Sequence, residues 1–525
     1  MADMNYRAVY TQWLHDFAND DALVAELSAL TDEKQIEDRF YTELAFGTAG
    51  MRGVLGYGTN RMNVYVVRRA TRGLAAYIHT FPGGAERGVA IAYDSRHMSA
   101  EFARETALTL CAAGVKAYLF DSLRPVPMLS YAVRHLGCIA GVVITASHNP
   151  PQYNGYKVYW EDGAQITPPH DTGIMDEVRN VTDYASVKTM PLEKAKADGL
   201  YQTIGADIDD PYIAELKKLV LHQDCIDKVA SELKIVYTPL HGTGNLPVRR
   251  VLKELGFTNV YVVPEQELPD GDFPTVSYPN PEAAEAFALG LALGKKVDAD
   301  LILATDPDAD RLGVYVKDAQ TGEYHSLTGN MSGCLIGDYV IGQRKELFGL
   351  PEDGAFIRSI VSTNMADAIA AYYGIDLIEV LTGFKFIGEQ IGFLEKQGKE
   401  SSYIFGMEES YGYLSGSYVR DKDGVNAAFL ICEMFAYYAS RGIGLFEKLN
   451  ELYEEYGYCL NTLHSYTFEG SAGFEKMQNI MASFRKSITE FAGKKVLKCL
   501  DYSRGIDGLP KSDVLKFFLE DNCSI

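Results

Sequence analysis

Basic residues are scarce in this chain: Lys plus Arg number 49 against 71 Asp plus Glu, a net charge of −22 over 525 residues. Such a surface repels nucleic acid and anionic membranes, and an anionic substrate must be held by cations placed locally. The eight cysteines, Cys111, Cys138, Cys225, Cys334, Cys432, Cys459, Cys499 and Cys523, include no CxxC pair and no framework spacing. They read as free thiols of a reducing compartment. No basic segment leads into an apolar one after Met1, so no secretory signal is expected. The longest apolar stretch, from Ala427 to Ala439, is interrupted by Glu433 and is too short to span a bilayer. With 47% apolar and 23% charged residues the composition is that of an ordinary globular chain. At roughly 100–200 residues per domain the length suits three or four domains. The expectation is a soluble, cytoplasmic, multidomain protein with neither nucleic acid nor membrane as partner.

What is present is a repeated rhythm. Apolar strand-like runs occur at 89–93, 115–120 and 139–145, again at 234–238, 260–263 and 300–305, and again at 356–361, 375–380 and 402–405. Helical patterns at 64–78, 103–113, 246–255 and 283–293 lie between them. Continuous apolar runs alternating with helices predict parallel sheets covered on both faces. The fold class is therefore α/β, in three similar units. The polar stretch 161–210, with Pro168-Pro169, reads as the exit from the first unit. The end differs, with a strand predicted at 462–468, a helix at 473–490 and a strand at 513–520. That is a smaller α+β domain. Domain limits are expected at 1–205, 206–322, 323–455 and 456–525.

Ligands of open α/β sheets bind beyond the carboxyl ends of the strands, so the loops there matter most. The first runs Thr145-Ala146-Ser147-His148-Asn149-Pro150, with Lys157 ten residues beyond the serine. A hydroxyl beside an imidazole, with a lysine to follow, supplies the parts of an activated nucleophile; the alternative is an ordinary surface turn. In the second unit Thr305-Asp306-Pro307-Asp308-Ala309-Asp310-Arg311 places three carboxylates at alternate positions. They would repel one another without a cation, and a hard ion such as Mg²⁺ takes oxygen ligands beside a phosphate. An EF-hand is excluded, because its turn glycine would fall on Arg311 and its closing glutamate on Lys317.

The third unit offers Thr382-Gly383-Phe384-Lys385-Phe386 and Gly406-Met407-Glu408-Glu409-Ser410-Tyr411-Gly412, whose carboxylates and hydroxyl suit sugar hydroxyls. Arg420-Asp421-Lys422-Asp423-Gly424 reads as a surface turn. Near the N-terminus, Phe46–Gly53 is glycine-rich with one fixed cation, Arg52, but fits neither GxGxxG nor the Walker pattern, so no nucleotide is indicated. A strand-end serine, an oxygen-ligand metal loop and sugar-hydroxyl acceptors add up to metal-assisted phosphoryl transfer to or from a sugar phosphate.

In that order and spacing, Phe46–Gly53, Thr145–Pro150, Asp306–Arg311, Thr382–Phe386 and Glu408–Gly412 closely resemble the α-D-phosphohexomutase superfamily. The resemblance runs from about residue 40 to the end, and the Asp-Pro-Asp-Ala-Asp-Arg and Glu-Glu-Ser forms look most like its bacterial phosphoglucomutase and phosphopentomutase branch. It implies that Ser147 is a phosphoserine and that Asp306, Asp308 and Asp310, with the phosphate on Ser147, hold Mg²⁺. It implies that Arg52 and Lys157 surround the transferring proton and phosphate, and that Glu408 and Ser410 bind sugar hydroxyls. Lys385 and Arg420 match cations near the substrate, and Thr382, Gly383 and Arg311 belong to the same substrate loops. His148 lies in the serine motif without an assigned role as base.

The implied reaction interconverts glucose 1-phosphate and glucose 6-phosphate through glucose 1,6-bisphosphate, which also serves as activator. A phosphopentomutase is the near alternative. An aspartate-nucleophile phosphatase is imitated by Asp306-Pro307-Asp308, but Asp310 stands where Thr or Val is needed. A non-catalytic sugar-phosphate binder is the third possibility. The family's fourth domain carries an Arg-Pro-Ser-Gly-Thr-Glu-Pro-type loop for the non-transferring phosphate, and no such segment occurs here. A truncated fourth domain and a weak mutase are accordingly expected.

Overall fold

The computed structural model describes residues 5–44, 50–468, 470–506 and 508–525; the side chains of 470–472 fall outside that description. Three α/β units follow one another, each on a mixed sheet, and a small antiparallel sheet closes the chain. In the first unit Val89–Tyr93 and Ala140–Ile144 are buried almost throughout, which is why they are apolar without alternation. They pair in parallel, and Ala117–Phe120 and Tyr201–Ile204 extend the sheet on one side. Tyr153–Trp160 and then Met51–Val54 run antiparallel on the other. The second sheet sets Val260–Val262, Ile235–Thr238 and Leu301–Thr305 in parallel, followed by antiparallel Leu312–Lys317 and Tyr324–Leu327. The third sets Asp376–Val380, Ala355–Ser359 and Tyr403–Glu408 in parallel, with antiparallel Gly412–Ser415 at the edge.

One device recurs in all three. An inner parallel strand ends in a loop and returns as its own antiparallel neighbour: Ile144 into Tyr153, Thr305 into Leu312, Glu408 into Gly412. The three loops so formed carry Ser147, the aspartates and Glu408–Ser410. The sheets are thus mixed rather than wholly parallel. Tyr153–Trp160, for which the apolar pattern predicts no element, is a strand. Its Asn154-Gly155 pair suggests a turn, but the glycine serves close approach. A Cβ there would lie 2.5 Å from the Thr145 carbonyl oxygen and 2.7 Å from that of Met51.

Helix Val64–Ile78 forms where its periodicity predicts, started by Asn63, whose side chain accepts from the Tyr65 and Val66 amides. The polar stretch after residue 161 is more than an exit, since it contains helix His170–Asn180 and supplies the edge strand Tyr201–Ile204. Helix Gly424–Ala439 is buried along all but its last residue and packs in the core shared by the units. Its Glu433 accepts from the Leu221 and His222 amides, both at 2.7 Å, and from the Tyr339 hydroxyl at 3.0 Å. The Ala427–Ala439 run is therefore a core helix whose carboxylate is satisfied at Oε1, while Oε2 is buried without a hydrogen-bond partner. Among the described residues no helix is long and apolar enough to cross a membrane.

The last unit departs most from expectation. Residues 462–468 form no strand; Leu463 and Tyr466 are exposed and no strand pairs with them among the described residues. The sheet is instead Glu490–Phe491, Lys494–Asp501 and Leu515–Leu519, all antiparallel, beside helix Gly470–Phe484. Lys494–Asp501 is lysine-rich and half-exposed, and lacks the apolar run that marks the buried strands.

Candidate active site

The aspartate loop is where the units converge. Its backbone is fastened from three sides: the Val126 amide donates to the Asp308 carbonyl at 3.0 Å, Thr243 to Pro307 at 2.8 Å and Gly424 to Ala309 at 3.0 Å. Gly424 is required there, because a Cβ would stand 2.7 Å from the Ala309 carbonyl oxygen. Carboxylate oxygens of Asp306, Asp308 and Asp310 lie within 4.8 Å of one another, and all three residues are buried. Asp308 Oδ1 and Asp310 Oδ1 are buried with no hydrogen-bond partner. Burial and its two neighbours push the Asp306 carboxyl well above the usual carboxylate range. Burial would raise Asp308 as well, but the Lys157 ammonium holds it below that range.

Ser147 enters this cluster from the first unit. Its hydroxyl donates to Asp306 Oδ2 at 2.8 Å and lies 3.1 Å from His148 Nδ1. The backbone is left-handed at Ser147, φ 52°, a conformation that costs a non-glycine residue about 1–3 kcal/mol. Two groups hold it. The Ser147 amide donates to Thr145 Oγ1 at 2.8 Å, and the buried guanidinium of Arg96 donates to the carbonyls of Ser147, Asn149, Pro150 and Tyr153.

Cations ring the cluster. Lys157 Nζ is 3.0 Å from Asp308 and 3.7 Å from Asp310. Lys422 Nζ is 2.6 Å from Asp310, and burial lowers its basicity less than Asp310 and Asp421 raise it. Arg52 donates to Asn149 Oδ1 at 3.0 Å, and its Nε is buried without a partner. Arg311 donates to Glu282 at 2.6 Å. Burial, with Arg311 and Arg52 nearby, pushes the His148 imidazole down to about 2. It is neutral at ordinary pH and too weakly basic to draw a proton strongly.

In the third unit Glu408 is buried and accepts from the Gly383 amide at 2.7 Å. Burial raises its carboxyl to about 7, against the pull of Lys422. Ser410 is half-buried in the turn beyond it, and Thr382 is exposed. Lys385 is buried over the Phe386 ring, and burial lowers its basicity. Arg420 lies elsewhere: fully buried, it donates to Glu395 at 2.8 Å and to the carbonyls of Ser417 and Val419. The segment Arg420–Gly424 is no surface turn, and the cation it sends to the aspartates is Lys422, two residues beyond Arg420.

The structure thus joins Ser147, His148, Lys157, Arg52, Arg311 and the three aspartates, with Glu408 adjoining through Lys422. The Phe46–Ala49 part of the glycine-rich loop lies outside the described residues. Arg96, Lys422, Thr145 and Asn149 were not expected in the site. Asn149 and Thr145 had a signal, being within the serine motif; Arg96 had none.

A hydroxyl beside a carboxylate cluster that could hold a cation, with lysines and arginines around it, suits phosphoryl transfer. Models of phosphoglucomutase/phosphomannomutase α/β/α domains I, II and III match residues 43–185, 210–322 and 328–456. A phosphoglucomutase of Staphylococcus epidermidis is 36% identical over 515 residues, covering 96% of this chain and 91% of that protein. A mouse phosphopentomutase is 38% identical over 451 residues, covering 84% and 72%. Among solved structures, parafusin from Paramecium in its open form superposes with a TM-score of 0.67 at 19% identity, covering 92% of this chain and 87% of that one, and shows the same fold. The chain belongs to the phosphoglucomutase/phosphomannomutase family, within the α-D-phosphohexomutase superfamily, and is an enzyme of the mutase class.

Proposed function

We propose that this protein interconverts glucose 1-phosphate and glucose 6-phosphate, with Ser147 carrying the phosphate between turnovers and glucose 1,6-bisphosphate as intermediate and activator. The observation that carries this is the 2.8 Å contact of the Ser147 hydroxyl with Asp306 inside a buried three-carboxylate cluster. The two orphaned oxygens, Asp308 Oδ1 and Asp310 Oδ1, fit a hard cation. Asp306, Asp308, Asp310 and the Ser147 phosphate would hold Mg²⁺, which when bound neutralises charge on the transferring phosphate. The left-handed backbone at Ser147 and the Arg96 clamp keep the hydroxyl aimed at the cluster.

Lys157 and Arg52 donate to phosphate oxygens, as a loose phosphoryl-transfer transition state requires positioning and charge more than covalent help. Neutral His148 orients the serine hydroxyl. Glu408 and Ser410 accept from sugar hydroxyls, with the Thr382-Gly383 turn as the wall beside them. Lys385 has no carboxylate at ion-pair distance among the described residues and suits the phosphate that is not being transferred. Arg311 positions the aspartate loop through Glu282.

Relatives named phosphopentomutase favour a second reading, transfer between C1 and C5 of ribose phosphate. A panel of glucose, mannose, N-acetylglucosamine and ribose 1-phosphates, each with its bisphosphate, separates the two. The test of the central claim is Ser147→Ala: intact mass should show phosphate on the parent and none on the variant, and glucose 1-phosphate turnover should drop by several orders of magnitude. Turnover within tenfold of the parent would remove Ser147 from the mechanism.

A further inference from the structure

A cavity of about 740 Å³ opens where the first, second and third units meet and shares no lining residue with the serine–aspartate site. It lies at the far ends of elements that also touch that site. The Val126 amide holds the Asp308 carbonyl, whereas His135, which lines the cavity, is nine residues further along the helix Val126–Leu136; that is roughly 13 Å along the axis. Tyr403 lines the cavity from the start of the strand whose last residue is Glu408.

Arg344 gives the cavity its chemistry. It is half-buried in the wall, and among the described residues its guanidinium has neither a carboxylate at ion-pair distance nor a hydrogen bond. Other cations in the wall are already paired: Arg134 with Glu395 at 3.0 Å and Lys218 with Glu215 at 2.7 Å. In a chain of net charge −22 a partly desolvated arginine left without an acid marks a place for an anion from outside. In the wall of the same cavity the rings of Tyr131 and His135 stack, centroids 5.3 Å apart and planes 21° apart, and offer a flat apolar face. The volume is that of a small-metabolite pocket.

We infer that this cavity is a second ligand site, taking a small organic anion in which one phosphate or carboxylate is joined to a flat ring. The charge is received by Arg344 and the ring by the Tyr131–His135 face. The site is coupled to the first along the chain. Its wall Ser415–Tyr418 leads directly to Lys422 on Asp310, and the Tyr418 hydroxyl donates to Asp423 at 2.5 Å.

The test is calorimetric titration of the full chain with AMP, with adenosine and inorganic phosphate as the ring and the charge alone, together with hydrogen exchange of the amides from 415 to 423. AMP should bind, each half-probe roughly tenfold or more weaker, and AMP should slow exchange across 415–423. Arg344→Gln removes the charge, and Ser401→Trp, at an exposed position on the wall, fills the space. Each should weaken AMP by about tenfold or more and abolish the protection, while Lys157→Ala in the first site leaves AMP binding unchanged. Absence of AMP binding to the parent, undiminished binding in both variants, or bound AMP without protection at 415–423 would each overturn the proposal.

Discussion

Replacing Asp306 by Asn asks whether the carboxylate cluster exists to hold a cation. At the 4.8 Å limit of the cluster, two ionised carboxylates repel by about 3.5 kcal/mol at an effective dielectric constant of 20. That repulsion and burial are why Asp306 holds its proton far above the usual carboxylate range when no cation is present. Asparagine copies that neutral state, and its amide oxygen still accepts from the Arg311 amide as Asp306 Oδ1 does at 3.2 Å. The metal-free variant should therefore match the parent in stability to within about 1 kcal/mol. Mg²⁺ should separate them. At a hundred times its dissociation constant a cation stabilises the parent by about 2.7 kcal/mol. For a cooperative unit of 150–250 residues that raises Tm by roughly 5–10 °C. Thermal melts of both proteins, with excess chelator and with saturating Mg²⁺, provide the assay. A full shift in Asp306→Asn, or no shift in the parent, would refute the assignment of this loop as the cation site.

Glu408 and Glu433 give two further expectations. The Glu408 carboxyl moves from 4.5 to about 7 on folding, so the folded state binds its proton more tightly and stability falls as pH rises from about 4.5 to 7. The loss is roughly 3 kcal/mol at 1.36 kcal/mol per unit; Glu408→Gln should lack it, and urea midpoints of the two proteins that stay parallel across that range would show otherwise. Glu433→Leu takes the acceptor from the half-buried Leu221 and His222 amides and from the buried Tyr339 hydroxyl, at up to about 1–3 kcal/mol each. Glu433→Gln keeps Oε1 and should unfold near the parent midpoint; equal losses in both variants would mean that packing, not hydrogen bonding, is what Glu433 supplies.

The three α/β units were legible because their inner strands, such as Val89–Tyr93 and Leu301–Thr305, are buried on both faces and so are continuously apolar. The return strands were not. Tyr153–Trp160 contains Asn154-Gly155, and Gly412–Ser415 is too short to show a period. Ser147 and the aspartates were legible because their chemistry is concentrated in short loops. Arg96 acts on that loop through four backbone carbonyls, a role that leaves no local pattern. Arg420 and Lys422 show the same limit at closer range. They are two residues apart in one charged segment, and the fold turns the lysine to Asp310 and the arginine to Glu395, which local sequence does not distinguish.

The fastening of the aspartate loop by Val126, Thr243 and Gly424 has a consequence for how this protein can change. All three bonds run from one main chain to another, so none depends on which side chain the loop carries. The peptide groups of residues 307–309 do the joinery of three domains, and the ion pairs of Asp308 with Lys157 and of Asp310 with Lys422 are added to it. Changing a side chain at these positions leaves the three main-chain bonds in place, whereas displacing the backbone itself, as a side chain at Gly424 would, disturbs the frame and the chemistry together.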